Sequence, residues 1–360
     1  MSQERSGGRP SRGLAAGLGG ALALLVLLGA LVAGWALWSY GGPGPAASNP
    51  APPADPGQAA PSTPETTVVL RRGAGLNEIA GALDEAGVIR SGTVFNVAAR
   101  LTGSSADLKA GEYSFPSRSS MAEVLGKIRR GEIVRHMVTI PEGVTSAQAA
   151  AILARHPVLT GTAPVAPEGA LLPETYDVQR GDDRAAVLQR MTAARDKALA
   201  ELWAARQPGL PVDTPEEAVI LASIVEKETG IASERPRVAA VFVNRMRQGM
   251  RLESDPTIIY GLTRGEPLVD ATGRRRGLRQ SELQRPNPYS TYQIPGLPPT
   301  PICNPGIDAL RAVLNPPETQ DLFFVADGTG GHVFARTFQE HLRNVARWRE
   351  VERARAAGAG

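Results

Sequence analysis

No charged residue occurs between Arg12 and Asp55, and from Gly13 to Tyr40 the chain is almost wholly apolar or small, with Leu22, Leu24, Leu25, Val26, Leu27, Leu28, Leu31 and Val32 at its centre. A helix needs about 20 consecutive apolar residues to cross the hydrocarbon layer of a bilayer. The run therefore predicts a transmembrane helix over 14–40, and it decides how the remainder can fold: as a body tethered to a membrane. Arg5, Arg9 and Arg12 precede the run and no charge follows until Asp55, so the positive-inside rule leaves a short tail, 1–13, in the cytoplasm and sends the body to the other side. Trp35, Trp38 and Tyr40 stand where an interfacial aromatic belt would lie. A cleaved signal peptide is the competing reading, but its apolar region runs to about 7–15 residues, shorter than this one.

After the run, residues 41–66 hold Pro43, Pro45, Pro50, Pro52, Pro53, Pro56, Pro61 and Pro64 among Ala, Gly and Ser, with no apolar periodicity. Such a segment cannot bury a core and tends to polyproline-like extension. It predicts a linker that, half extended at about 3.1 Å per residue as the upper spacing, holds the body on the order of 40 Å from the bilayer.

Two stretches 70 residues apart then share one form. Val68-Val69-Leu70-Arg71-Arg72-Gly73 leads into Leu76, Ile79, Ala80 and Leu83, and Val138-Thr139-Ile140-Pro141-Glu142-Gly143 leads into Ala149, Ala150 and Leu153. Each reads as a short strand, a glycine turn and an amphipathic helix. Between them come a helical pattern over 94–101, the LKAGEYSF turn and strand, and a helix from Met121 to Ile128 opened by Ser119 or Ser120. Residues 67–135 are thus expected to form a small α+β module, with a structural spacer as the bland alternative.

Composition narrows the function classes. A net charge of +3, a 5% aromatic content and the absence of a dense basic stripe argue against a nucleic-acid partner. Cys303 is the only cysteine, so no intramolecular disulfide or cysteine metal cluster can form. His136, His156, His332 and His341 lack HExxH spacing, and there is no GxSxG elbow. No metal site and no cofactor is expected.

The most informative segment opens at Thr214-Pro215-Glu216-Glu217, a capping box with proline at the first helical position. At 100° per residue, with Ala218 at zero, Ile224 falls at about 240°, Glu228 at about 280°, Leu221 at about 300° and Val225 at about 340°. Glu226, at about 80°, and Lys227, at about 180°, fall on the margins of that arc or beyond. Glu228 should therefore point into the apolar wall at the last turn. Desolvation disfavours its charged form, and the negative end of the helix dipole acts in the same direction. This is the environment of a general acid; the plain alternative is a fraying glutamate that turns to solvent or pairs with Arg235 or Arg237.

Downstream, Ser233-Glu234-Arg235-Pro236 and Asp255-Pro256 each start a helix. Residues 285–306 read RPNPYSTYQIPGLPPTPICNPG, a pre-stiffened loop that offers Tyr289, Ser290, Thr291 and Tyr292 as ring and hydroxyl contacts for a carbohydrate, or serves as a rigid crossover. A helix capped by Asn304, with Pro305 at its first position, should follow. LFFVADGTGGHVFA, 322–335, reads as a hairpin with His332 beside its turn. Thr337 to Glu340 forms another capping box before a terminal helix that caps the core.

The stretch ILASIVEKETGIASERPRVAAVFVNRMRQGMRLESDPTIIYGL, followed by YSTYQIPGLPPTPICNPG and FFVADGTGGHVFA, resembles the endolytic murein transglycosylase, or YceG-like, family. The resemblance covers essentially everything after the linker, together with the single anchor helix. Positions such as Arg274 to Arg276 match no motif that can be placed. It implies an α+β fold: a single transmembrane helix, a LysM-like glycan-binding module over 67–135 and a larger catalytic domain over 136–357. The family's essential glutamate, the second Glu of EKET, lands on Glu228. The tract Glu168-Gly169-Ala170-Leu171-Leu172-Pro173-Glu174-Thr175-Tyr176 also matches. The expected substrate-binding set is then Glu174, Tyr176, Asn244, Tyr289, Ser290, Thr291, Tyr292, Asn304 and His332.

The implied activity is non-hydrolytic cleavage of the MurNAc-GlcNAc β-1,4 bond in nascent peptidoglycan, leaving 1,6-anhydro ends and limiting strand length. Peptidoglycan glycan strands, and cell-wall synthases such as penicillin-binding proteins, are the implied partners. The implied location is the inner membrane, single-pass, with the catalytic domain in the periplasm. Three readings stand against it: a non-catalytic peptidoglycan-binding scaffold, a hydrolytic muramidase using Glu174 or Asp255 as second carboxylate, and a soluble extracellular glycosidase.

Overall fold

A computed structural model describes residues 12–46 and 64–358. It is a mixed α+β structure of two compact units, one ending at His136 and the other beginning at Met137. The expected tail, 1–13, lies almost wholly outside the described residues, as does the linker between its two ends. Helix α1 spans Arg12–Gly41, about 45 Å at 1.5 Å per residue, which is long enough to cross a bilayer. Leu24 to Leu28, Leu31 and Val32 are all exposed, uncovered by any of the described residues.

In the first unit, strand β1 (Glu65–Leu70) begins inside the stretch expected to be linker. It pairs antiparallel with β2 (Gly111–Pro116), with Val68 opposite Tyr113 and Leu70 opposite Gly111. Alternation buries Val68 and Leu70 while Val69 faces out. Helices α2 (Leu76–Glu85), α3 (Gly92–Leu101) and α4 (Met121–Arg130) complete the unit. Leu83, Phe95, Tyr113, Phe115, Met121 and Ile128 make its core. Of the two serines expected to open α4, Ser120 forms the capping box with Glu123, and Gly131 ends the helix at φ 73°.

The second unit starts with β3 (His136–Thr139), which pairs with β4 (Thr175–Val178), and α5 (Ser146–Arg155), opened by a Thr145/Gln148 capping box. The two strand-turn-helix repeats thus fall essentially in different units. Helices α6 (Arg184–Ala204), α7 (Pro215–Glu228), α8 (Arg235–Arg247), α9 (Asp255–Thr263) and the short α10 (Gln280–Gln284) follow. Then come α11 (Ile307–Leu314), the antiparallel hairpin β5 (Phe323–Ala326) and β6 (His332–Ala335), and α12 (Phe338–Gly358). The main core gathers α7, α8 and α11 through Leu221, Ile224, Val225, Val238, Phe242, Leu310 and Val313.

One expected cap is corrected. Helix α11 starts at Ile307 with Gly306 as its cap and no side-chain capping bond. Asn304 is instead fully buried, with Oδ1 accepting from Leu171 N at 3.0 Å and Nδ2 donating to Val144 O at 3.1 Å. A side chain engaged at both ends by distant backbone cannot also reach the first turn of its own helix.

Candidate active site

Helix α7 is buried on most of its surface: Ala218, Val219, Leu221, Ala222, Ser223, Ile224 and Val225 all lie inside. Its Thr214/Glu217 capping box and Pro215 fix the start, so the position of the last residue, Glu228, follows from helix length alone. Burial of the Glu228 carboxyl raises its pKa from 4.5 to about 7, and the Asp255 charge pushes the same way. A hydrogen bond from Ser254, with His332 and Arg245 nearby, opposes the rise without cancelling it.

Ser254 was not singled out in the sequence. It stands at the N-cap of α9, where a serine ordinarily accepts from a backbone N–H of the first turn. Here the hydroxyl makes no capping bond and donates to Glu228 Oε1 at 2.5 Å. Its backbone is held from both sides: Ser254 N donates to Thr291 Oγ1 at 2.9 Å, and Thr257 Oγ1 donates to Ser254 O at 2.6 Å. Glu253, immediately before it, has φ 55°, a left-handed value uncommon for a side-chain-bearing residue. The Glu253 carboxylate receives Arg245 Nη1 at 3.1 Å, and Arg245 also donates to Leu322 O and Leu252 O at 2.7 and 3.0 Å. Arg245 thus joins α8, the start of the hairpin and the segment that delivers Ser254.

Two further groups border the acid. Tyr292 donates its hydroxyl to Asp255 Oδ1 at 2.9 Å. Burial and that carboxylate raise the Tyr292 pKa, so the ring stays a neutral phenol. His332, at the start of β6, is fixed by Glu234, whose carboxylate receives His332 N at 2.9 Å and contacts Nδ1 at 2.8 Å. Glu234 makes no capping bond for α8, because its oxygens face the hairpin.

Of the expected substrate-binding residues, Tyr292 and His332 border Glu228. Thr291 is fully buried behind Ser254, and Ser290 is buried beside it with an unpartnered hydroxyl. Tyr289 lies in the core, edge-on to Tyr260 at 5.0 Å, with its hydroxyl on Thr300. Asn244 pins the approach to the hairpin through Thr319 O and Asp321 O at 2.9 and 3.1 Å. Tyr176 donates to Leu172 O at 2.7 Å, Asn304 is the internal tie already described, and Glu174 is exposed after the 168–173 tract.

The other carboxyls on or near α7 have different surroundings. Glu226 is buried in an ion cluster: Arg235 reaches Glu226 and Glu142 at 3.6 Å each and Asp308 at 3.9 Å, and Gly306 N donates to Glu226 at 3.0 Å. Glu168 is desolvated and raised in pKa, but both oxygens are occupied, by Ser146 N at 2.8 Å and by the Tyr260 hydroxyl at 3.1 Å. Glu228 receives one donor among the described residues, at Oε1, and none at Oε2. Among the described residues no cluster of three groups has the makings of a metal site.

The fold and this site define an α+β protein with one protonatable acid at a helix end, held by a serine and bordered by a histidine and a tyrosine–aspartate pair. The chain belongs to the YceG-like family, whose model matches residues 68–347. It is 29% identical over 328 residues to the endolytic murein transglycosylase of Streptococcus pneumoniae serotype 2 (strain D39 / NCTC 7466), an alignment covering 78% of this chain and 58% of that protein. It is 30% identical over 175 residues to the Bacillus subtilis (strain 168) protein of the same name, covering 48% of this chain and 46% of the relative. The chain therefore spans little more than half the length of the pneumococcal relative. A crystal structure of a yceG-like protein from Listeria monocytogenes aligns with a TM-score of 0.46 at 26% identity, over 78% of this chain and 99% of that one.

Proposed function

We propose that the protein is a membrane-anchored endolytic lytic transglycosylase that cleaves the MurNAc-GlcNAc β-1,4 bond of peptidoglycan and thereby limits strand length. The observation that carries the reading is the Glu228 carboxyl, with a pKa of about 7 and one oxygen free of donors among the described residues. A group protonated near neutrality gives its proton to the glycosidic oxygen as the bond breaks. The resulting carboxylate takes the proton of the muramic C6 hydroxyl, which closes on C1 and leaves a 1,6-anhydro end. An internal hydroxyl has a high effective concentration, so no activated water is needed. Ser254 holds the carboxyl in place and, as a donor, favours the ionised form between the two transfers.

The names of the relatives support peptidoglycan as substrate. The α1 helix supports anchoring, and the arginines before it support a periplasmic catalytic unit with α1 in the inner membrane. The first unit is assigned as a LysM-like, glycan-binding module, and cell-wall synthases as partners, on the family resemblance. Asp255, close enough to raise the Glu228 pKa, is the observation behind a second reading, hydrolysis with two carboxylates.

One experiment separates these readings: mass spectrometry of muropeptides released from purified sacculi. The wild type should give anhydro-muramic ends and Glu228→Gln, correctly folded, should give none. Hydrated reducing ends from the wild type would establish the hydrolase, and strand binding without cleavage would establish a scaffold.

A further inference from the structure

The two described ends of the proline-rich segment meet at one turn of the first unit. Gly44 N donates to Arg118 O at 3.0 Å, Arg118 N donates to Pro45 O at 3.0 Å, and Ser117 N donates to Pro64 O at 2.8 Å. Consecutive residues of the β2–α4 turn thus receive the chain as it leaves α1 and again as it enters β1. Arg118 has φ 68°, a left-handed conformation that a non-glycine residue rarely adopts, with its N–H and C=O both given to the segment after α1. Gly44 is required by closeness: a Cβ there would collide with the Ser119 carbonyl oxygen.

A second set of contacts lies one helical turn closer to the apolar run. The Arg90 guanidinium sits 4.0 Å over the Trp38 ring, and its Nε and Nη2 donate to Pro43 O at 3.1 and 2.6 Å. Tyr40 packs on the core of the unit, and Ser39 is 2% exposed although Leu37 and Trp38 just before it lie open. Gly44 follows the end of α1 by three residues, at most about 11 Å of chain. The unit that binds it therefore lies within that reach of the helix end, against the on the order of 40 Å expected of a half-extended stalk.

We propose that the outer end of α1 and the first unit form one rigid clasp that seats the unit at the bilayer surface. The proline-rich segment then leaves and re-enters a single turn instead of separating the unit from the membrane. Trp38 has two roles in this arrangement, as an interfacial ring and as the platform for Arg90. Any polymer held by the first unit is engaged beside the membrane, at a height set by α1. The proposal rests on α1 as the anchor and is independent of the chemistry at Glu228, so the two fail separately.

The test is pulsed electron–electron resonance on the full chain in lipid nanodiscs, with spin labels on Leu37→Cys in α1 and Asn77→Cys in α2, both exposed positions. Cys303 is fully buried and stays in place. The clasp gives one narrow distance distribution. Gly44→Val or Arg90→Ala should broaden it at least about twofold, toward the spread of a free tether of roughly twenty residues, whose end-to-end distance is about 25 Å r.m.s.. A wild-type distribution as broad as that of the variants overturns the clasp. So does a narrow distribution that neither variant widens, and if Gly44→Val fails to fold, Arg90→Ala and the wild-type width decide alone.

Discussion

At the residue scale the proposed function rests on one carboxyl whose environment opposes its ionised form. Glu228 has a folded pKa of about 7 against 4.5 for a free glutamate. A raised folded value means that its contribution to stability is complete below about pH 4.5 and lost as pH rises toward 7. The full difference corresponds to roughly 3 kcal/mol. Glu228→Gln keeps the shape and cannot ionise, so calorimetry should show the variant more stable than wild type at pH 8, by on the order of 2–3 kcal/mol, and equal to it near pH 4.5. Ser254→Ala removes the one donor that favours the ionised form and should move the wild-type transition to higher pH. Equal stabilities for Glu228→Gln and wild type at pH 8 would show that the carboxyl is solvated and that its acid role is misassigned. Sequence periodicity identified this residue because Leu221, Ile224 and Glu228 share one side of one helix. Ser254 was hidden because a serine before Asp-Pro reads as an ordinary cap, and its real partner lies 26 residues earlier.

At the scale of elements, polar side chains at or shortly before helix starts turn away from their own helices to distant partners. Ser254 serves Glu228, Glu234 serves His332, and Asn304 serves the 144–171 backbone, while reciprocal capping is made by Ser120, Thr145 and Thr214 with the residue three positions on. Local patterns therefore recovered the Thr214 box and the hairpin, but not the diversions, which depend on chain segments far away. Arg235 is the clearest case. It stands in the first turn of α8, its side chain 8% exposed, and gathers Glu142, Glu226 from the last turn of α7 and Asp308 from the first turn of α11. The helical wheel put Glu226 at the margin; the structure buries it, because a cation from the next helix meets it there. Arg235→Ala leaves that carboxylate unpaired and should destabilise the protein by about 3 kcal/mol or more. Asp308→Asn, at an exposed position, should change stability by less than about 1 kcal/mol. Chemical denaturation that ranks the two variants the other way would mean that the cluster is solvated and does not set the end of α7.

At the scale of the whole molecule, under the proposed anchoring, the distribution of charge along the chain is expected to set which side of the membrane the second unit occupies. Arg5 and Arg9 precede α1, Arg12 is its first residue, and the first charge after it is Asp55. Lys and Arg near the ends of a span dominate its orientation. The apolar surface of α1 from Leu24 to Val32 is exposed in the protein itself, so lipid is the partner that would cover it. The full chain should accordingly pellet with membranes after high-salt washing, and external protease should digest residues beyond α1 in spheroplasts while sparing the N-terminal tail. Moving the arginines, by Arg5→Ser, Arg9→Ser and Arg12→Ser with a Lys-Arg-Arg insertion after Ala54, should invert part of the population and protect the catalytic unit. An unchanged digestion pattern would show that the arginines do not orient the span, and release of the wild-type body into the soluble fraction would show that α1 is removed as a leader. The proposed function ties topology to catalysis through the substrate: an acid that cleaves peptidoglycan would need its polymer on the same face of the membrane, so on that proposal the inverted population should retain activity on added sacculi after lysis and show none in intact cells.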